Sequence, residues 1–350
     1  MNEMVIMLAL ITALAGYLLW GIKTLPRERW QILASVPLKK EAGDEWSGMN
    51  LTWYGLLTAN AYVAAVFVLF MLLGAVRVPL AGSAALAVAL LSVCVPASRL
   101  VARIVEKKAH TFTVGGAVFV GTVMAPWVVF GVNRYLGAEL GFHIPYTAAL
   151  AAFAVAYAFG EGMGRLACLS FGCCYGKPLG EASPWLRRLF AGLSVTFYGK
   201  TRKIVYAGGL EGEKVLPVQA VTAIIYCVCG IGAVFLYLKG EFAGAFLMPM
   251  SLTQGWRVIS ETLRADYRGE GKVSAYQIMG AAGIAYGGAA FLLAPGALIP
   301  CPDLTGALTS AFHPGLIFFL QALWIVIFLY TGRSTVTGAT LTFHVRADRI

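Results

Sequence analysis

Charged residues are scarce in this chain of 350, at 13%, where a soluble domain carries about 25%. With 59% hydrophobic residues and a mean hydropathy of +0.75, a soluble core is excluded. Histidine is also scarce: His110, His143, His313 and His344 are scattered. Cys168, Cys173 and Cys174 lack the paired C-x-x-C spacing of zinc or iron–sulfur sites, so no metal site and no cofactor are expected. Most of the seven cysteines fall in or beside apolar segments, where cysteine packs as a small hydrophobe. For the adjacent Cys173 and Cys174, a redox pair is the alternative. There is no internal repeat or low-complexity tract. No basic stretch is interleaved with aromatics, so the net charge of +10 does not point to nucleic acid. In a membrane protein that charge belongs in loops beside lipid headgroups.

What the chain does have is long apolar runs. The first spans about Met4 to Trp20; others centre near 53–76, 79–98, 113–132, 145–168, 216–237, 242–262, 274–294 and 314–331. Each suits one membrane-crossing helix of about 20 residues, which satisfies its own backbone in lipid. The first run lacks the basic n-region of a signal peptide, so residues 1–22 are expected to be an uncleaved anchor helix. Residues 23–52 are polar and hold Trp30 and Trp46, which suits a segment lying at the interface. The longest break, 171–214, carries seven lysines and arginines together with Trp185, Leu186, Phe190 and Phe197 to bury. It predicts a small extramembrane head, not a linker. Residues 296–350 predict a loop, an extra helix and a polar, exposed tail.

Charges inside the spans are the next feature. Each costs about 2.5–3.5 kcal/mol at the centre of a bilayer helix, so it needs a partner or a job. Glu161 and Arg165 lie four apart on one helix face, among Gly160, Gly162 and Gly164, which keep that helix thin. Arg257 and Glu261 repeat the spacing on another span, and Arg99 ends a third. One such pair could be a self-neutralised bridge that fixes packing; two pairs on different spans favour a functional site. The guanidinium fork matches phosphate, and in lipid the natural phosphate is a phospholipid headgroup.

The stretch Gly164-Arg165-Leu166, followed by Gly172-Cys173-Cys174-Tyr175-Gly176-Lys177-Pro178, resembles the signature of the prolipoprotein diacylglyceryl transferase family. Trp53-Tyr54-Gly55-Leu56, Gly115-Gly116, Pro217-Val218-Gln219 and Arg257 with Glu261 resemble further family elements, in the family's order. The resemblance covers about 53–295. It implies an all-α polytopic membrane protein: a seven-helix transferase-like core, one extra helix at each end, and the head between core helices four and five. It also implies transfer of a diacylglyceryl group from phosphatidylglycerol, or another anionic phospholipid, to the thiol of a preprolipoprotein lipobox cysteine. The expected setting is the bacterial inner membrane. By motif position Arg165 and Arg257 would be catalytic, holding the phosphate. Tyr54, Arg99, Gly115, Gly116, Glu161, Gly176, Gln219 and Glu261 would bind substrate.

The chain departs from the pattern at several polar positions. Family members carry a histidine just before the glycine pair, where Val114 stands here, with His110 one helical turn earlier. Cys168 replaces an asparagine, Cys173 an acidic residue, and Leu216 the histidine before Pro217. The chain therefore reads as a divergent member. An alternative is a non-catalytic phospholipid-binding or carrier protein on the same frame. An ion-coupled transporter ranks last, for want of a repeat. Loops on the head side collect nearly all the lysines and arginines, which by the positive-inside rule places the head in the cytoplasm. The resemblance places it outside.

Overall fold

The computed structural model describes residues 3–107, 113–267, 273–296 and 298–350. His110 lies outside the described residues. Among those residues, nine helices have 18 residues or more. They are α1 (Glu3–Thr24), α2 (Trp53–Ala75), α3 (Leu80–Glu106), α4 (Val114–Gly131), α5 (Tyr146–Phe171), α6 (Val218–Leu238), α7 (Phe242–Leu263), α8 (Ala275–Leu292) and α9 (Pro314–Thr331). Each coincides with one of the nine apolar runs. Six of them, α1 to α4, α6 and α9, are long and apolar enough to cross a membrane by length and composition. The protein is thus an all-α, multi-pass membrane protein. The other three differ in composition: α5 and α7 carry the internal charges, and α8 is rich in alanine and glycine.

Helix α5 is the hub. It packs against α2, α6 and α7, and more lightly against α1, α4 and α8. Ala148, Ala149, Ala151, Ala152 and Ala154 are all buried, and such small side chains let neighbouring backbones approach closely. At Gly162 the approach is closest to α6: a Cβ there would meet the Cys227 sulfur at 2.7 Å. The glycines of the 160–164 stretch therefore serve packing, and they bring the charged face of α5 against its neighbours. Helix α3 runs past the end of its apolar run to Glu106. That carries Arg99 and Arg103 above the hydrophobic stretch while keeping them helical.

The polar segment 23–52, the head and the tail each contribute strands. Residues of 23–52 form a hairpin, β1 (Ile32–Lys40) and β2 (Glu45–Thr52). The head contributes a short pair, β3 (Val195–Thr196) and β4 (Lys214–Val215). The tail contributes β5 (Arg333–Thr342), which pairs antiparallel with β2 to give the order β1-β2-β5. Buried Asn50 pins this sheet: its amide donates to Thr337 Oγ1 and the Gly338 carbonyl, both at 3.0 Å, and its carbonyl accepts from Ser35 Oγ at 2.6 Å.

The head is fixed by one arginine. Arg202 is fully buried and stacks near the Phe197 ring. Its guanidinium donates to the carbonyls of Leu169 and Ser170 at the end of α5, at 3.0 and 2.7 Å. It also donates to the carbonyl of Leu25 at 2.7 Å and to that of Glu28, just past α1. Helix ends leave their last carbonyls without intrahelical partners, and a cation there also meets the negative end of the helix dipole. Phe197 is buried and Leu186 and Phe190 pack beneath the head, but Trp185 remains exposed. The tryptophan does not join that small core. The Arg202 Nε donates to the Tyr198 carbonyl at 2.8 Å. Arg202→Ala therefore takes a donor from five carbonyls, of which only that of Ser170 keeps another side-chain donor among the described residues, Gln31, and is expected to cost on the order of 3 kcal/mol. A lowered melting temperature of the purified protein in detergent checks this; an unchanged one refutes it.

Candidate functional site

The buried face of α5 presents Tyr157, Glu161 and Arg165 at successive turns, a spacing of four that stacks side chains along one face. Glu161 Oε1 accepts from Arg165 Nη2. Glu161 Oε2 accepts from Arg257 Nη2 of α7 at 2.5 Å. Arg257 Nη2 also reaches the Tyr157 hydroxyl at 3.3 Å, and Gln254 Nε2 donates to the same hydroxyl at 2.9 Å. All three charged side chains are buried, so one carboxylate faces two guanidinium groups. The cluster keeps an excess of one positive charge. Arg165 Nε and Arg257 Nε are both buried donors with no partner among the described residues. Donors in that state are the exception in folded proteins and call for an explanation.

This corrects the pairing suggested by sequence spacing. Arg257 does not bridge to Glu261 one turn on. Glu261 accepts instead from Arg264 at 3.2 Å and from the Ser274 hydroxyl at 3.4 Å. Arg264 also makes a two-pronged contact with Asp266, 2.8 Å on each prong. Burial pushes the Asp266 carboxyl up to about 6, against the pull of Arg264. The physical reason is rotation: Arg257 points to α5, while Glu261 sits near the helix end and meets the chain as it turns out of α7.

Two cavities meet at this cluster. The polar one has a volume of about 810 Å³. Seven basic and three acidic side chains line it, so its field favours an anion. The apolar one, about 290 Å³, runs between α2, α3, α4 and α5. Tyr54, Val114, Arg165 and Cys168 line both. The polar cavity is walled by α3, the α5 end, the head and β5, through residues such as Arg103, Lys203, Arg333 and Thr337.

The residues singled out from sequence are distributed as follows. Arg165, Arg257, Tyr54, Arg99, Gly115 and Glu261 line the polar cavity, while Glu161 lines the apolar one. Arg99 lies over the Tyr330 ring, 4.4 Å from its centroid. Gly115 is required by proximity: a Cβ there would meet Arg257 Nη1 at 2.7 Å. Gly116 faces Val101 of α3, and Gly176 faces the Leu216 backbone. Both act in packing around the site. Gln219 donates to the Cys173 carbonyl at 2.9 Å and lines a small crevice behind Arg165 and Arg257. Val114, where the resemblance expected a histidine, is exposed at the junction of the two cavities.

Several members of the site were not found from sequence. Tyr157 was one turn before Glu161 and Cys168 seven residues after it, both on its face, so helical spacing could have found them. Lys203 and β5 come from distant segments, and nothing local marks them. Cys168, Cys173 and Cys174 bring their sulfurs within 4.8 Å of one another at the same cavity. Hydrogen bonds from Cys168 and Cys173, then the charges of Arg264 and Arg165, hold the Cys174 thiol well below its ordinary value.

A family model described as prolipoprotein diacylglyceryl transferase matches residues 45–293. The chain belongs to that family. The match takes in β2, all of α2 to α8 and the head, and so includes every residue of the carboxylate–arginine cluster. Membership makes the protein a transferase of lipoprotein biosynthesis by family, one that moves a diacylglyceryl group to a prolipoprotein. No curated protein matches the chain. Within this diacylglyceryl transferase frame, Glu161→Gln removes the charge that both arginines face. It is expected to destabilise the protein by about 3–5 kcal/mol, because two buried cations lose their counter-ion. Thermal unfolding in detergent reads this, and wild-type stability of the variant would rule out the clamp.

Proposed function

We propose that the protein transfers a diacylglyceryl group from phosphatidylglycerol, in the bacterial inner membrane, to a lipoprotein cysteine thiol or a related acceptor. The observation that carries the reading is the position of Arg165 and Arg257. Arg165 lines both a basic, roomy cavity and an apolar one, Arg257 lines the basic one beside it, and each has a buried Nε with no partner among the described residues. A phospholipid has the same two-part character, a charged headgroup joined to acyl chains. Its phosphate at the junction would supply the missing acceptors and balance the excess positive charge, with an acyl chain along α2 and α4.

The reaction is displacement at the glycerol carbon that bears the phosphate. The acceptor thiolate forms the new S–C bond, the C–O bond breaks, and the electron pair leaves with glycerol phosphate. The leaving group gains negative charge as the bond breaks, and Arg165 and Arg257 are placed to stabilise it. Glu161 holds both guanidinium groups before substrate arrives, so little reorganisation is needed during the reaction. Tyr54 and Gly115 shape the space beside them, and Arg99, Glu261 and Gln219 lie further along the walls. The non-catalytic lipid-binding alternative draws on Val114, which leaves the position where the resemblance expected a histidine without an ionisable side chain. A turnover assay separates the two, because only an enzyme releases glycerol phosphate.

Arg165→Ala and Arg257→Ala are each expected to lower the release of glycerol phosphate from phosphatidylglycerol by about 100-fold or more, in proportion to losing one transition-state donor. Both variants should still insert in the membrane. Wild-type complementation of a transferase-depleted strain by either variant would sink the reading.

A further inference from the structure

The three thiols beside Arg165 are the feature that the carboxylate–arginine cluster leaves unexplained. Cys168 ends the buried stripe of α5. Gly172, at φ +68°, reverses the chain, and Cys174 takes the left-handed conformation at φ +57°, uncommon outside glycine. That turn folds Cys173 and Cys174 back onto Cys168. The Gln219 amide holds the Cys173 carbonyl, and the backbone N–H of Cys173 donates to the Cys168 carbonyl at 3.2 Å. The result is a rigid, partly buried group of three sulfurs facing the polar cavity, with Arg165, Arg264 and Lys203 lining the same space.

The spacing fits a metal. A zinc–thiolate bond is about 2.3 Å, and two such bonds at a tetrahedral angle set their sulfurs about 3.8 Å apart. The Cys168 and Cys174 sulfurs are 3.9 Å apart, and Cys173 completes the group within 4.8 Å. Three thiolates on a divalent ion carry one net negative charge, which suits a cavity lined mainly by cations. A tetrahedral ion held by three protein ligands keeps its fourth position open, the pattern of catalytic rather than structural zinc.

We propose that Cys168, Cys173 and Cys174 bind a thiophilic divalent ion of the zinc class as a tris-thiolate, with the fourth position facing the polar cavity. Binding releases the thiol protons to solvent. The open position suits an acceptor thiol, and this further step rests on the transfer proposed above. There R–SH would give up its proton to solvent on binding the ion, and the resulting thiolate sulfur would form the S–C bond at the glycerol carbon as the C–O bond breaks and the electron pair leaves with the glycerol phosphate that Arg165 and Arg257 hold. A coordinated thiol is deprotonated outright, so the ion does work otherwise left to a base.

The test uses the full chain in detergent, expressed with zinc and purified without chelator. Elemental analysis should find one zinc per chain, and cobalt(II) in its place should give a near-ultraviolet sulfur-to-cobalt charge-transfer band. Cys168→Ser, Cys173→Ser and Cys174→Ser should each weaken that band, while Cys301→Ser, at an exposed position away from the cavity, should leave it unchanged. Wild-type protein guards against misfolded variants: zinc should protect these three thiols from alkylation, and a chelator should expose them. Substoichiometric zinc with no cobalt band, a band indifferent to all three substitutions, or a disulfide among the three in freshly purified protein each overturns the inference. Glycerol phosphate release from a metal-free protein at an undiminished rate removes the acceptor step but leaves the transfer reading intact. A loaded tris-thiolate site in a protein that transfers to no thiol does the reverse.

Discussion

Glu161 is the constraint on which the interior depends. A bilayer core tolerates few charges, yet this protein buries three in contact, a carboxylate and two guanidinium groups from different helices. The carboxylate makes both arginines affordable. It fixes their position across the α5–α7 boundary and leaves one unit of positive charge over. Desolvating such a group without compensation is costly, which is why the proposed transfer seats a headgroup phosphate beside the two arginines. The alanine and glycine content of α5 follows from the same demand, because only small side chains let α6 and α7 come close enough to enclose the cluster.

The two cavities translate that electrostatic arrangement into selectivity of shape. One wall is basic and wide enough for a hydrated headgroup; the other is narrow and almost wholly apolar. Arg165 belongs to both, so a ligand bound there has to be amphipathic to satisfy the two sides. A free phosphate fills only the first cavity and a hydrocarbon only the second. The cysteine group on the far side of Arg165 adds a second chemistry within the same chamber, with sulfur donors close to the site proposed for the phosphate.

The helices were legible in the sequence because lipid imposes one strong rule, a long apolar run, and all nine runs are helical. The charged positions were legible for the same reason, since Glu161, Arg165 and Arg257 break that rule. The pairing of Glu161 with Arg165 was legible from their spacing, but that of Arg257 was not. Spacing of four favours Arg257 with Glu261, and only the rotation of α7 against α5 shows that Arg257 turns to Glu161. The sheet was illegible for a different reason. Its strands, of 9, 8 and 10 residues, lie in stretches whose polar residues suggested interface and tail, and β2 pairs with β5 across nearly the whole chain, so no local pattern signals it. The cysteines were judged by linear spacing, whereas the left-handed turn at Cys174 is what gathers them.

Strand β5 follows α9 in the chain, yet its Arg333 to Thr337 stretch forms part of the wall of the polar cavity. A nascent chain therefore completes all nine of its long helices, including α5 and α7, before the material for that wall has been made. During this interval the buried charges can pair, but the chamber around the arginines stays open on one side. Pairing of β2 with β5 closes it and joins the beginning of the chain to its far end. Synthesis order thus becomes a timing device, in which a molecule gains a complete polar chamber only once every long helix has been made.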